Sequence, residues 1–314
     1  MRVERGPRRD MIAIPDDQLR AGSGDSPIAD LFFPPVKSSA ERPGWDRVLV
    51  ELHRAESWEG EACLPFHVVS LVLHPPRRLV CRLDGGRACS IRPPVGHMVI
   101  VPAGRSHWGA WEGHIDFLLA YLSPETLVRA VHDDGLDADR FELQYRPDAR
   151  DPELGSLLLA LESQLTGPGA EDRLYVDTIA VQLAVRLLQG YGTAPLRLRE
   201  YRHGLSRVQL GVVLDYLNAY LNRNIQLAEL ANLVEMSPFH FLRLFRTSCG
   251  KTPHQYLVQR RVEVAKTLLL REDVTLAELA YRLGFSDQSH FTRHFRRITG
   301  APPGRLRREH RLPH

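Results

Sequence analysis

Two short stretches near the C-terminus carry side chains suited to reading a nucleic-acid duplex. After Ser237-Pro238 come Phe239, Leu242, Arg243 and Arg246; after Ser286-Asp287 come Gln288, Ser289, Thr292, Arg293, Arg296 and Arg297. Gln and Arg near a helix N-terminus can make paired hydrogen bonds to adenine and guanine edges, whereas Ser, Thr and later arginines suit phosphates. Phe239 and Leu242 are costly if solvated, but apolar side chains at such positions can rest against thymine methyl groups. The bland alternative is a solvated helix face with two stray apolar residues.

An internal repeat argues for the sharper reading. Leu227-Ala-Glu-Leu-Ala231 recurs as Leu276-Ala-Glu-Leu-Ala280, and His240-Phe-x-Arg-x-Phe245 recurs as His290-Phe-x-Arg-x-Phe295. Each copy then reaches a glycine (Gly250, Gly300) and, three residues later, a proline (Pro253, Pro303). Such a pattern is the mark of a duplicated supersecondary unit. Each copy is predicted to hold two short helices. In the second copy Thr275-x-x-Glu278 has capping-box spacing, Leu276, Leu279, Ala280 and Leu283 form a buried face, Gly284 makes the turn and Phe285 plugs the core. Phe291, Phe295 and Ile298 form the next buried stripe. In the first copy Leu227, Leu230 and Ala231 are expected inside, Ser237-Pro238 starts the second helix, and Phe241, Leu244 and Phe245 face inward. Two helices joined by a short turn, the second bearing outward Arg, is the helix-turn-helix pattern. Between the copies, Pro253 to about Leu270 is expected to form one connecting helix.

The charge supports a polyanionic partner. Residues 205–314 hold 17 Lys and Arg against 9 Asp and Glu, a net of +8, while residues 1–204 carry a net of −5. A basic third on an acidic body is the footprint expected of a nucleic-acid binder. The length, 314 residues, suggests two domains. No apolar run approaches a bilayer span, and the basic start of the chain has no apolar stretch behind it to make a signal peptide. The four cysteines, Cys63, Cys81, Cys89 and Cys249, have no zinc or C-x-x-C spacing. They read as small buried hydrophobes suited to a reducing cytoplasm, with a Cys81/Cys89 redox pair as the alternative.

Residues 45–123 read as β-rich. Val48, Val50, Leu52 and then Val68, Ser70, Val72 alternate with a period of two, and Asp84-Gly85-Gly86 supplies a tight hairpin turn. Two helical patterns follow. Asp151 to Leu165 opens with a cap and a proline; Tyr175 to Leu188 has an apolar face wide enough to need cover from the strands or from the same helix of a second subunit.

The stretches Met236–Phe245 and Leu279–Gly300 resemble the AraC/XylS family of transcription regulators. The resemblance implies a seven-helix, two-unit DNA-binding domain in which Phe239, Leu242 and Arg243, and then Gln288, Ser289 and Arg293, face bases. One departure is Glu235 where the second copy has Gly284; a residue with a side chain is less comfortable at positive φ, so a different first turn is expected. Another is the tail Ala301–Leu306, which keeps its prolines but lacks the aromatic often found near its end.

The resemblance further implies a cupin-like sensor barrel that binds a small molecule and dimerises. Gly96-x5-Pro102-x-Gly104-x2-His107 matches most of a second cupin motif, but Trp111 stands where that motif has asparagine, and no His-x-His pair lies near His67 or His74. His107 alone cannot hold a metal, so no metal or other cofactor is expected. Trp58, His67, His107, Trp108 and Trp111 are the candidates for an effector pocket, with plain core packing as the alternative for the tryptophans and for His107.

The expected fold class is α+β: an N-terminal cupin-like β-barrel (jelly roll) with a helical hairpin, then an all-α domain of two helix-turn-helix units joined by a linker helix. Residues 1–27 read as a mobile tail, in which Met11 is as good a start as Met1. The sensor barrel is assigned to 28–150, a helical packing or dimerisation segment to 151–190, a linker to 191–204 and the DNA-binding domain to 205–309. The expected protein is a cytoplasmic, homodimeric, non-enzymatic transcription regulator or activator. Its partners would be double-stranded DNA, RNA polymerase and a small-molecule effector. A cupin metalloenzyme (oxygenase or isomerase) with a DNA-binding appendage is the alternative. A DNA-repair alkyl acceptor is disfavoured because the cysteines do not cluster.

Overall fold

The computed structural model describes residues 34–40, 42, 45, 47–132, 142–167, 172–193, 204–271 and 274–311. The expected tail 1–27, and all of the expected linker 191–204 except its two ends, lie outside these residues. The chain divides into two compact units. The first comprises Met1–Thr166 and Ile179–Leu198, the second Gly167–Thr178 and Arg199–His314.

In the first unit the strands are β1 (Lys37–Ser38), β2 (Leu49–Ala55), β3 (Trp58–Cys63), β4 (His67–His74), β5 (Arg78–Leu83), β6 (Cys89–Ile91), β7 (Met98–Val101), β8 (Ser106–Glu112), β9 (Ile115–Leu122) and β10 (Arg146–Ala149). They form a six-stranded sheet in the order β1-β2-β9-β4-β7-β10 and a four-stranded sheet in the order β3-β8-β5-β6. All the pairings are antiparallel. The expected closed barrel is therefore replaced by two open sheets. One edge of each sheet is short: β1 has two residues and β6 three, too few to carry a ladder around to the other sheet. Burial needs no closure, because alternate residues from both sheets meet in one core that includes Val68, Val72, Leu79, Cys81, Trp111, Phe117 and Tyr121. The β5–β6 hairpin turns at Asp84 (φ 47°) and Gly85 (φ 69°), and the Gly86 amide donates to Leu83 O at 2.8 Å, the type I′ geometry.

Helix α1 (Pro124–His132) precedes β10. Helix α2 (Pro152–Thr166) is capped by Asp151, whose Oδ1 accepts from the Glu153 and Leu154 amides. It buries Leu154, Leu158, Leu161 and Leu165, a single stripe. Helix α3 (Arg173–Tyr191) sends Arg186 to Asp151 at 2.8 Å. Ile179, Ala180, Val181, Leu183, Ala184, Leu187 and Leu188 are all buried within the one chain, so this apolar face has cover without a second subunit.

The second unit contains α4 (Arg207–Ala219), α5 (Leu227–Asn232), α6 (Pro238–Cys249), α7 (Pro253–Arg271), α8 (Leu276–Arg282), α9 (Gln288–Thr299) and α10 (Pro303–Arg311). Side-chain caps start five of them: Ser206 accepts from the Gln209 amide, Ser237 from His240, Thr252 from Gln255, Thr275 from Glu278 and Asp287 from His290. Gly250 (φ 66°) and Gly300 (φ 79°) end α6 and α9 in the left-handed conformation. The two inter-helix turns are alike, contrary to the expectation from Glu235. Glu235 takes φ 54° and Gly284 φ 75°, and the following amide donates to the equivalent carbonyl at 3.0 Å in both (Met236 to Ala231, Phe285 to Ala280). The hydrogen-bonded frame imposes the left-handed residue whether or not it has a side chain. The inner face of the second copy is Leu279, Ala280, Leu283, Phe285, Phe291 and Phe295. Ile298, expected on this stripe, is instead exposed at the end of α9.

Candidate nucleic-acid interface

Helix α9 holds two buried residues, Phe291 and Phe295, and apart from Ile298 near its end is polar elsewhere. That narrow stripe leaves a broad outer face. Gln288, Ser289, Thr292, Arg293, Arg296 and Arg297, together with Gly300, line one open hollow on it. All six residues expected there are brought together. Gln288, Ser289 and Arg293 are exposed on the first two turns, Arg296 and Arg297 on the last. No acidic residue lies among them, so the face presents guanidinium donors together with the hydroxyls of Ser289 and Thr292 and the Gln288 carboxamide.

Helix α6 differs. Arg246 is exposed and Arg243 half-buried, but Phe239 and Leu242 are 6% and 5% exposed. They do not face outward as expected. With Phe241, Leu244 and Phe245 also buried, apolar residues occupy more of this helix than one stripe. The exposed polar side chains left on it are Arg246 and Thr247, with His240, Arg243 and Ser248 half-buried.

Arg261 was not singled out from the sequence, although it lies on the apolar stripe Leu257, Val258, Val262, Ala265, Leu269 of α7. It is 3% exposed, and its guanidinium donates to Leu221 O (2.7 Å) and Arg223 O (3.0 Å). The same group lies over the Phe285 ring and 3.9 Å from Asp172. It thus ties the segment after α4 to the turn of the second helix pair. A lone charge in an apolar stripe was the available signal. Asp172, held well below the usual carboxylate range against its burial by His254 and Arg261, is 3.0 Å from His254 Nε2.

In the first unit, Trp58, His107 and Trp111 line a cavity of about 110 Å³ between the sheets, with Val68, Ser70, Val72, Leu79, Cys81, Phe117 and Tyr121 among its other walls. Trp58 and Trp111 pack at 4.9 Å, and Trp111 Nε1 donates to Glu56 O at 2.7 Å. Trp108 and His67 do not line it. Trp108 lies under the Arg82 guanidinium, and His67 Nδ1 accepts from the Ala103 amide at 3.1 Å. Cys81 faces the cavity opposite Cys89 in the ladder, and burial pushes its thiol up to about 11, away from the reactive thiolate. Among the described residues no group of three or more His, Cys, Asp and Glu is placed to hold a metal ion.

Residues 230–309 match the family model described as a helix-turn-helix domain. The probable transcriptional regulator LumQ of Photobacterium leiognathi is 34% identical over 101 residues, 32% of this chain and 41% of that protein. An AraC-like transcription regulator of Streptomyces lividans is 27% identical over 157 residues, 50% of this chain and 52% of that one. The arabinose operon regulatory protein of Escherichia coli is 28% identical over 165 residues, covering 52% and 54%. The chain thus spans about half the length of the curated relatives it matches. Its C-terminal unit carries a helix-turn-helix domain of the kind found in AraC-like transcription regulators.

Proposed function

We propose that the protein is a sequence-specific, double-stranded DNA-binding transcription regulator whose first unit binds a small-molecule effector. The observation that carries this is the outer face of α9: six polar or cationic side chains gathered on one helix, capped at both ends and backed by Phe291 and Phe295. A helix of this kind fits the major groove with its N-terminal residues at base edges. Gln288, Ser289 and Arg293 would read bases; Thr292, Arg296 and Arg297 would hold phosphates, aided by Arg243 and Arg246 of α6. Phe239 and Leu242 would reach bases only if α6 were uncovered. The cavity between the sheets is the effector site, and an effector acts by binding the DNA-competent and DNA-incompetent states unequally. A cytoplasmic homodimer that contacts RNA polymerase completes the reading, supported by the likeness to AraC-like regulators.

Substitution of single arginines tests it. Arg293→Ala should weaken binding to the preferred sequence by about 1–3 kcal/mol and relax discrimination at one base pair. Arg296→Ala should weaken all sequences alike and lower the slope of log K against log salt by about one. Competition binding with randomised duplexes reads both effects; wild-type behaviour in both variants would remove α9 as the reading helix.

A further inference from the structure

The cavity in the first unit exists because of a row of small residues. Three inward-facing rows run across β3, β8 and β5: Trp58–Trp111–Leu79, Gly60–Gly109–Cys81, and Ala62–His107–Leu83. The middle row has no side chain larger than a thiol, so its own residues leave the space above it open. Trp58 folds back over Gly60, where even a Cβ would come within 2.2 Å of the indole. The result is a void bounded by indole and aliphatic walls, close in size to cavities that hold a single six-membered ring.

Polar groups on its walls are few, and most are engaged. Ser70 Oγ accepts from the Val99 amide, the Tyr121 hydroxyl donates to Glu51, and the Arg105 guanidinium at the rim is neutralised by Asp84 at 2.5 Å. His107 is the exception. Its Nε2 is shielded from solvent and has no hydrogen-bond partner among the described residues, an expensive state for an imidazole nitrogen. The Tyr145 ring lies 5.8 Å away, its hydroxyl beside the Cys81 thiol. Burial lowers the His107 pKa to about 4 despite the nearby Glu61, so the ring is neutral near pH 7. A neutral imidazole gives or takes one hydrogen bond but offers no charge, and a carboxylate entering this cavity would lose its hydration without gaining a counter-ion.

We propose that the cavity takes an uncharged, one-ring-sized apolar molecule bearing a single hydrogen-bonding oxygen, which His107 Nε2 meets inside the row Gly60–Gly109–Cys81. This rests on the reading of the cavity as the effector site and adds the chemical class of the effector: alcohol, phenol or ketone rather than acid or amine.

Cyclohexanol, cyclohexane and cyclohexanecarboxylate serve as probes, titrated into the full chain at pH 7.5 and followed by ligand-observed NMR. Cyclohexanol should bind at least tenfold more tightly than cyclohexanecarboxylate. His107→Leu should reduce the preference for cyclohexanol over cyclohexane about tenfold while both still bind. Gly109→Ile, which fills the middle row, should abolish binding of all three with the folded-state spectrum retained. A carboxylate that binds as well as the alcohol overturns the proposed class and leaves the effector site standing. An unchanged alcohol preference in His107→Leu removes His107 from recognition. Failure of all three probes to bind wild type, or binding undiminished by Gly109→Ile, overturns the effector-site reading itself.

Discussion

Glu235 and Gly284 occupy equivalent turns with the same left-handed backbone, yet only one is the residue that this conformation favours. A side chain at positive φ carries strain of about 1 kcal/mol or more, partly offset because glycine loses more freedom on folding. Glu235→Gly should therefore stabilise the second unit slightly, by about 0.5 kcal/mol. Gly284→Ala should do the reverse and more. Its Cβ would stand 2.8 Å from Asn222 O and 2.9 Å from Asn222 C, backbone that cannot swing aside, in addition to the strain at φ 75°. A loss of about 3 kcal/mol is expected. Thermal unfolding of the two variants measures both signs, and equal effects would mean that the turns are not equivalent.

Recognition at the element scale depends on how cleanly a helix separates its faces. In α9 two phenylalanines four residues apart leave little doubt about the outer surface, and the sequence alone located all six of its residues. In α6 five of twelve residues are buried apolar side chains, so period-3.6 reasoning could not say that Phe239 and Leu242 would be covered. Strands supply the converse lesson. Trp108 and Trp111 are three apart and so lie on opposite faces of β8; parity already excluded a shared cavity, as it did for His67 beside the inward Val68, Ser70 and Val72. Choosing by residue type concealed this. The two-sheet arrangement was not legible, because alternation fixes which residues point inward but not whether the last strands meet.

The inner side of α9 also predicts a pH response. His294 packs against His290 on its own helix, against His254 of α7 and against Phe285, and Arg297 lies 2.9 Å from its Nδ1. Burial, reinforced by His290, Arg297 and His254 and only partly opposed by Asp172, lowers its pKa to about 3. The unfolded ring titrates near 6.5. Below that value the unfolded chain takes up a proton that the folded chain refuses, so stability is lost as pH falls through the window from about 6.5 to 3. At pH 5 the loss from this one ring approaches about 2 kcal/mol. Asp172, whose own pKa is depressed, stays ionised across that range and does not mask the effect. Calorimetry of His294→Phe should show a smaller drop in Tm between pH 7 and pH 5 than wild type; an equal drop would place the titration elsewhere.

Along the chain the charges are sorted by position, with a net of +8 over residues 205–314 and −5 over the remainder. A duplex draws in the first and repels the second, so encounters favour approach through the basic unit before any base is read. Because that attraction releases counter-ions, each arginine that sits on a phosphate adds about −0.9 to the slope of log K against log salt. Arg246 of α6 and Arg296 of α9 are on different helices and exposed, so their contributions should be independent. The double variant Arg246→Ala/Arg296→Ala should lose close to two from the slope, where each single variant loses about one. Titrations between 50 and 200 mM salt distinguish this from engagement of α9 alone, in which Arg246→Ala would leave the slope unchanged. An additive loss requires both helices to reach the backbone of the same duplex, which is the physical content of a two-helix grip.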